Sequence, residues 1–199
     1  MKKFFSFIGV LGILIGFAQF SWGQTTITTT TITTDTTWTL AGSPYIVTGH
    51  VYVQGSPTPT LTIEPGVEVR VNDYVCLEIG HGSDNAKSGI LMADGSAGTI
   101  TFTMAGSSYW NNIGFHQTGT GTINHCLIEY GGYNGYGNIW CYDSSPNILN
   151  SITRNSKNHG IYVYRYDYNA NPLILGNTIT DNGTTTSGYG RANASKSHN

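Results

Sequence analysis

Ile139-Trp140-Cys141-Tyr142 is followed by Pro146-Asn147-Ile148 and Ile152-Thr153-Arg154-Asn155; Ile161-Tyr162-Val163-Tyr164 is then followed by Pro172-Leu173-Ile174 and Ile179-Thr180-Asp181-Asn182. The same pattern is written twice, 22 to 27 residues apart. Each copy is a set of short runs in which apolar and polar residues alternate, separated by Asn, Ser, Asp and Gly. Alternation over three to five residues is the period of a strand, and no window has a helical period. A unit of this length that cannot bury its own apolar face must stack on its neighbours, which is the logic of a solenoid.

Upstream the same grammar holds in Tyr45-Ile46-Val47, Val51-Tyr52-Val53, Leu61-Thr62-Ile63, Val67-Glu68-Val69-Arg70-Val71 and Leu77-Glu78-Ile79, each bounded by Gly, Pro, Asn or Asp. Two columns of inward positions are expected: Ile90, Ile113, Ile139 and Ile161 in one, Leu77, Ile100, Ile123, Ile148 and Ile174 in the other. Stacked coils place equivalent residues one strand spacing apart, about 4.8 Å. Burying each inward Ile contributes about 1.5–3 kcal/mol. Asn150, Asn155, Asn177 and Asn182 fall at the corners, where amides can serve backbone groups left over by a tight bend, or act simply as turn formers. The expected fold class is all-β: a right-handed parallel β-helix of about five coils over residues 40–183.

The flanks read differently. Lys2 and Lys3 precede an apolar run from Phe4 to Phe17, and Ser21-Trp22-Gly23 offers small residues for cleavage, so residues 1–23 are expected to be a signal peptide. The run is shorter than the ~20 residues of a membrane span. The expected destination is secretion or the cell surface, with no membrane attachment once the signal is removed. Residues 24–39 hold eleven threonines and read as a linker or a loosely attached leading strand. Residues 184–199 carry no strand signal and read as a polar tail. The apolar end of the last coil then lacks a cap, so the solenoid is expected to be incomplete at its C-terminus, a piece of a longer protein.

Composition removes several function classes. Nine Lys and Arg among 199 residues, with a net charge of −2, make no basic stripe for nucleic acid. Three cysteines, Cys76, Cys126 and Cys141, show no CxxC spacing; a disulfide is allowed in an oxidising compartment, but buried thiols are the simpler expectation. His116 and His125 lie too far apart in the coil for zinc, and Ser83-Asp84-Asn85 offers one carboxylate where Ca²⁺ wants six to eight oxygens. No metal and no cofactor is expected.

The chain resembles the right-handed parallel β-helix proteins of the pectate-lyase-like superfamily, in its secreted bacterial, degenerate-repeat group. The likeness rests on Leu61-Thr62-Ile63-Glu64-Pro65-Gly66-Val67, Ile100-Thr101-Phe102-Thr103, the run from Ile123 to Gly132, and the run from Pro172 to Ile179. It implies a fold and a choice among lyases, hydrolases, adhesins and inactive relatives. The hydrolase pattern it implies, Asn-Thr-Asp, Asp-Asp, Gly-His-Gly and Arg-Ile-Lys in order, is absent. Gly80-His81-Gly82 occurs alone and no Asp-Asp pair exists. The pectate-type lyase pattern needs several Ca²⁺-holding carboxylates and a base arginine, whereas Glu129, Asp143, Asp167 and Asp181 are single and Arg154 and Arg165 can pair with surface acids. No catalytic residue is assigned.

Aromatic residues stand out instead. If Ile113, Phe115, Ile139, Cys141, Ile161 and Val163 face inward, then Gly114, Trp140 and Tyr162 form one outward ladder and His116, Tyr142 and Tyr164 another. The candidate ligand site is Trp140, Tyr142, Tyr162, Tyr164 and His116, extended by Tyr130, Tyr133, Tyr136, Tyr166 and Tyr168. Such a face suits sugar rings; it also suits a protein partner, or a covering loop. The expected function is a non-catalytic extracellular module that binds glycan, adheres or supports, with polysaccharide or another surface protein as partner. The alternative is a polysaccharide lyase or glycoside hydrolase whose site is incomplete or unrecognised.

Overall fold

The computed structural model describes residues 23–166 and 170–183. The expected signal peptide up to Trp22, Tyr168 and the polar tail lie outside them. Nineteen strands follow one another in coils of three. The threonine-rich opening holds β1 (Thr25–Ile27), β2 (Thr30–Ile32) and β3 (Thr36–Trp38); next come β4 (Tyr45–Val47), β5 (Val51–Val53) and β6 (Thr60–Ile63). They continue as β7 (Glu68–Val71), β8 (Leu77–Ile79), β9 (Gly89–Asp94), β10 (Ile100–Met104), β11 (Ile113–Phe115) and β12 (Gly119–Asn124). The series ends with β13 (Cys126–Glu129), β14 (Gly137–Tyr142), β15 (Asn147–Leu149), β16 (Ile152–Arg154), β17 (His159–Tyr164), β18 (Leu173–Leu175) and β19 (Thr178–Thr180).

Every third strand pairs in parallel. The first sheet is β1-β4-β7-β10-β13-β16-β19, the second β2-β5-β8-β11-β14-β17, and the third β3-β6-β9-β12-β15-β18. The molecule is therefore an all-parallel β-solenoid with three faces. Residues 40–183 supply five coils, β4 to β18, and the opening strands add one more. Among the described residues the only helical element is a short 3₁₀ turn, Leu40–Gly42.

The opening strands correct the linker reading. Residues 24–39 do not lead into the domain; they form its first coil, with β1, β2 and β3 pairing residue for residue with β4, β5 and β6. Threonine is at ease on a strand surface. One apolar residue per strand is enough to anchor the coil, because Ile27, Ile32 and Trp38 each pack against the core. Trp38 is buried and stacks on Tyr45, ring centroids 4.9 Å apart.

Two of the expected columns are also redrawn. Ile113, Ile139 and Ile161 do stack, but over Leu77 and Val51, not Ile90. Ile90 belongs to the third sheet beside Thr60 and Thr120. Ile123, Ile148 and Ile174 stack as expected, over Ala93, Ile63 and Trp38. Ile100 pairs instead with Cys126 in the first sheet. The cause is uneven coil length: residues 80–88, between β8 and β9, and residues 105–112, between β10 and β11, lengthen the coils that contain them, and a fixed period counted along the chain loses the frame. The first sheet contributes Tyr45, Val69, Phe102, Ile128, Thr153 and Ile179 in one column. Together the columns make one continuous core.

The corners explain the asparagines. His125, Asn150 and Gly176 recur where the third sheet turns into the first, and Tyr130, Asn155 and Asp181 where the first sheet ends; all have positive φ, between 46° and 69°. Asn and Asp tolerate that left-handed conformation better than other non-glycine residues. Amides also bond along the axis, Asn150 Nδ2 to Asn124 Oδ1 (3.1 Å) and Asn124 Nδ2 to Asp94 Oδ1 (2.9 Å). Asn177 and Asn182 each accept one backbone N–H, from Ser151 and Ser156, and donate to one carbonyl, of Ile148 and Thr153.

All three cysteines are buried and free. Cys126 and Cys141 sit in the core columns, and burial pushes both thiols up to about 12. Cys76 sits against His50 Nδ1, 3.0 Å from its Sγ, and burial followed by the neighbouring Glu78 raises its pKa as well. The folded state keeps protons that an unfolded thiol loses above about pH 8.5. Stability is then whole below that value and declines as pH rises toward 12, by about 1.4 kcal/mol per unit for each buried thiol. At pH 8 the thiols of folded protein should react with a disulfide reagent on the order of a thousandfold more slowly than after unfolding in urea. Prompt labelling of folded protein would contradict that burial.

Candidate functional site

The outer surface of the second sheet concentrates the unusual residues. Strand pairing stacks Thr31, Tyr52, Glu78, Gly114, Trp140 and Tyr162 in one outward column. Tyr142 stacks on Tyr164 in the next, with His116 one coil below, just after β11. The five expected residues thus share one face.

The aromatic rings touch one another. Tyr142 and Tyr164 are stacked at 5.8 Å with 9° between planes, Tyr162 and Tyr164 at 6.4 Å and 13°, and His159 and Tyr162 at 5.1 Å and 21°. His116 meets Trp140 and Tyr142 edge-on at 5.2 and 6.1 Å. Tyr136, from the loop before β14, lies flat on Trp140 at 4.1 Å and 7°. A loop residue therefore covers one face of Trp140, and the open part of the row shifts to Tyr142 and Tyr164, the latter 40% exposed. The other extensions divide. Tyr133 turns away to pack on Tyr74, with Lys157 Nζ 4.1 Å over its ring, and Tyr130 packs against the core. Tyr166 is exposed, and its backbone N–H donates to Asp143 Oδ1.

Below the rings lies a groove of about 260 Å³, bordered by Tyr52, Gln54, Glu78, His81 and His116. Its centre is a contact between the Glu78 carboxylate and His116 Nε2, both side chains largely buried. Gly114 makes that contact possible, since a Cβ there would stand 2.2 Å from Glu78 Oε2. The residue between Glu78 and Trp140 in the column must lack a side chain for the carboxylate to lie across it. Asn112 Oδ1 also approaches this clearing, 3.1 Å from the same point. Asn112 Oδ1 and Trp140 Nε1 are buried and meet no hydrogen-bond partner among the described residues. A polar group left so costs about 1–3 kcal/mol, and sites that accept a ligand are where such atoms are tolerated.

The inserted loop forms the groove's far wall. Gly80 starts it with φ +74°, where an added Cβ would strike Gly119 N at 2.2 Å. His81 N–H donates to Thr118 Oγ1 (2.8 Å), Thr118 Oγ1 lies 2.6 Å from Lys87 O, and Ser88 pairs with Gly55 in an antiparallel bridge. His81 Nδ1 accepts the N–H groups of Ser83 and Asp84 at 3.1 and 2.9 Å. Its proton is consequently on Nε2, which makes that atom a donor. His116 Nε2 faces the Glu78 carboxylate, which makes that nitrogen the donor of the pair. Burial, then Cys76 and Glu78, hold the Tyr52 phenol above its ordinary value, so it remains a neutral hydroxyl.

Several charged residues elsewhere pair with one another. Arg154 Nε bonds Glu129 Oε2 at 2.8 Å, Arg70 pairs with Glu68, and Lys87 with Asp84. Among the described residues no three His, Cys, Asp or Glu side chains are placed to hold a metal ion, and no helix is long and apolar enough to cross a membrane. Glu78, Tyr52 and Gln54 are not singled out by the sequence, because the column that joins Tyr52 and Glu78 to Gly114 exists only when Leu77 is registered against Ile113. The available signal was the correspondence of Leu77-Glu78-Ile79 with Ile113-Gly114-Phe115, visible only once residues 80–88 and 105–112 are set aside. No family model, curated protein or solved structure matches the chain.

Proposed function

We propose that this exported β-solenoid is a non-catalytic carbohydrate-binding module, related to the degenerate-repeat group of the pectate-lyase-like superfamily, which presents polysaccharide to the outer face of its second sheet. The observation that carries this reading is the run of stacked rings, Tyr162, Tyr164 and Tyr142, that leads directly into the Glu78–His116 groove. Apolar ring surface meets the C–H face of a sugar, and the polar groove beside it meets hydroxyls. The apolar segment at residues 4–17, with its basic start, supports export.

A hydrolase working through two carboxylates needs them about 5–10 Å apart across the scissile bond. Among the described residues Glu78 is the one carboxylate bordering the groove, and its partner is a histidine. Replacing Tyr142 and Tyr164 by alanine should weaken retention on insoluble polysaccharide about tenfold or more, and Trp140→Ala with Tyr162→Ala should do the same. Each lost ring contact is worth roughly 0.5–1.5 kcal/mol beyond its area. The glycans tested should show no new reducing ends and no unsaturated product. Unchanged retention in both double variants would discard the binding face, and turnover would discard the non-catalytic reading.

A further inference from the structure

The groove has a definite hydrogen-bonding character. Its acceptors are the Glu78 carboxylate and the Gln54 amide oxygen. Its donors are the neutral ones of Gln54, Tyr52 and His81 Nε2. The Gln54 side chain makes no hydrogen bond within the described residues, so both ends of its amide are open. Among the described residues no lysine or arginine borders the groove, and Lys87 in the adjoining loop is paired with Asp84 at 3.2 Å.

A sugar hydroxyl both donates and accepts, and two neighbouring hydroxyls can donate together to one carboxylate. A uronate brings a second negative charge that finds only Glu78. A second carboxylate placed beside Glu78 meets like charge, and among the described residues the groove lacks the bidentate arginine that a carboxylate or sulfate prefers. The volume suits a single sugar ring with its neighbours lying along Tyr142 and Tyr164.

We infer that the Glu78–His116 groove selects neutral polysaccharide, gripping the adjacent hydroxyls of one sugar unit through Glu78 and Gln54, and rejects polyuronates. This rests on the carbohydrate-binding reading above. His116 acts as a positioning residue that holds the carboxylate across Gly114.

Calorimetric titration of the folded protein with neutral oligosaccharides (gluco-, manno- and xylo-oligomers) and with oligogalacturonate of matched length tests it. The native protein should bind at least one neutral series and bind oligogalacturonate at least tenfold more weakly. Glu78→Gln should weaken neutral binding by about tenfold, the scale of a hydrogen bond to a charged group, and narrow the gap between neutral and uronate ligands. Gln54→Ala, at a side chain the fold does not use, should weaken neutral binding about fivefold without altering the unfolding midpoint, and carries the test if Glu78→Gln does not fold. Oligogalacturonate binding as tightly as the neutral oligomers would overturn the inference. So would neutral binding that survives both groove variants yet is lost in the Tyr142→Ala, Tyr164→Ala protein, a result that leaves the binding face itself standing. Failure of the folded protein to bind any of these ligands would remove both.

Discussion

Replacing Trp110 with alanine should lower the unfolding free energy by about 3–5 kcal/mol, among the largest single-site losses available in this chain. Trp110 is completely buried among the core residues just before β11, where the second sheet resumes after the first. Its Nε1 donates to Glu129 O at 2.8 Å and its backbone N–H to Tyr130 O at 3.2 Å, so one side chain fills the corner and ties it to the end of β13. Gly131 passes so close that a Cβ there would lie 3.2 Å from the indole. Such packing leaves little room for collapse, and a cavity persists. Trp110→Phe keeps most of the volume and loses the bond to Glu129 O, at a cost of about 1–2 kcal/mol. Urea unfolding monitored by far-ultraviolet circular dichroism gives both values. A Trp110→Ala loss below about 1 kcal/mol would mean that the corner repacks and that the cavity argument fails.

Asn138→Ala should cost about 3 kcal/mol or more, though it removes only a small polar group. The Asn138 side chain is fully buried and makes four bonds: its Oδ1 accepts Gly131 N–H at 2.7 Å, and its Nδ2 reaches Ile128 O, Thr153 Oγ1 and Arg154 O at 2.9 to 3.0 Å. Alanine abandons a donor and several acceptors in a place water cannot easily enter. Asn138→Asp fares no better, because an ionised carboxylate cannot donate to the Ile128 and Arg154 carbonyls. The amide also tethers the 130–137 loop that carries Tyr136 onto Trp140. Hydrogen exchange at Gly131 should therefore quicken in Asn138→Ala along with the loss of stability. If exchange there stays unchanged while stability falls, the tether assigned to the amide is wrong.

The two substitutions mark different kinds of information. Asn138 looks in the sequence like one more polar residue ahead of an apolar run. Its buried network joins residues from β13, β14 and β16, and only folding brings those together. The outward aromatic ladder was legible because it follows from parity: if Ile139 and Cys141 point in, Trp140 and Tyr142 must point out. Tyr136 covering Trp140 was not, because nothing in the alternation of β14 says where the preceding loop lays its ring.

What the sequence determined is the coil: short alternating runs, a repeat near two dozen residues from Ile113 onward, and corners marked by asparagines such as Asn150 and Asn155. These are local rules, carried by side-chain parity and by turn residues, and they require no knowledge of distant neighbours. What only the tertiary structure decided is the register of coils across residues 80–88 and 105–112, and with it the site. A loop costs little entropy to lengthen, so the chain can insert residues between β8 and β9 without disturbing the stack, while any count along the sequence loses its frame. Burial of Leu77 beneath Ile113 restores that frame. The same registration lays Glu78 over Gly114 and against His116, joining residues that are 38 positions apart.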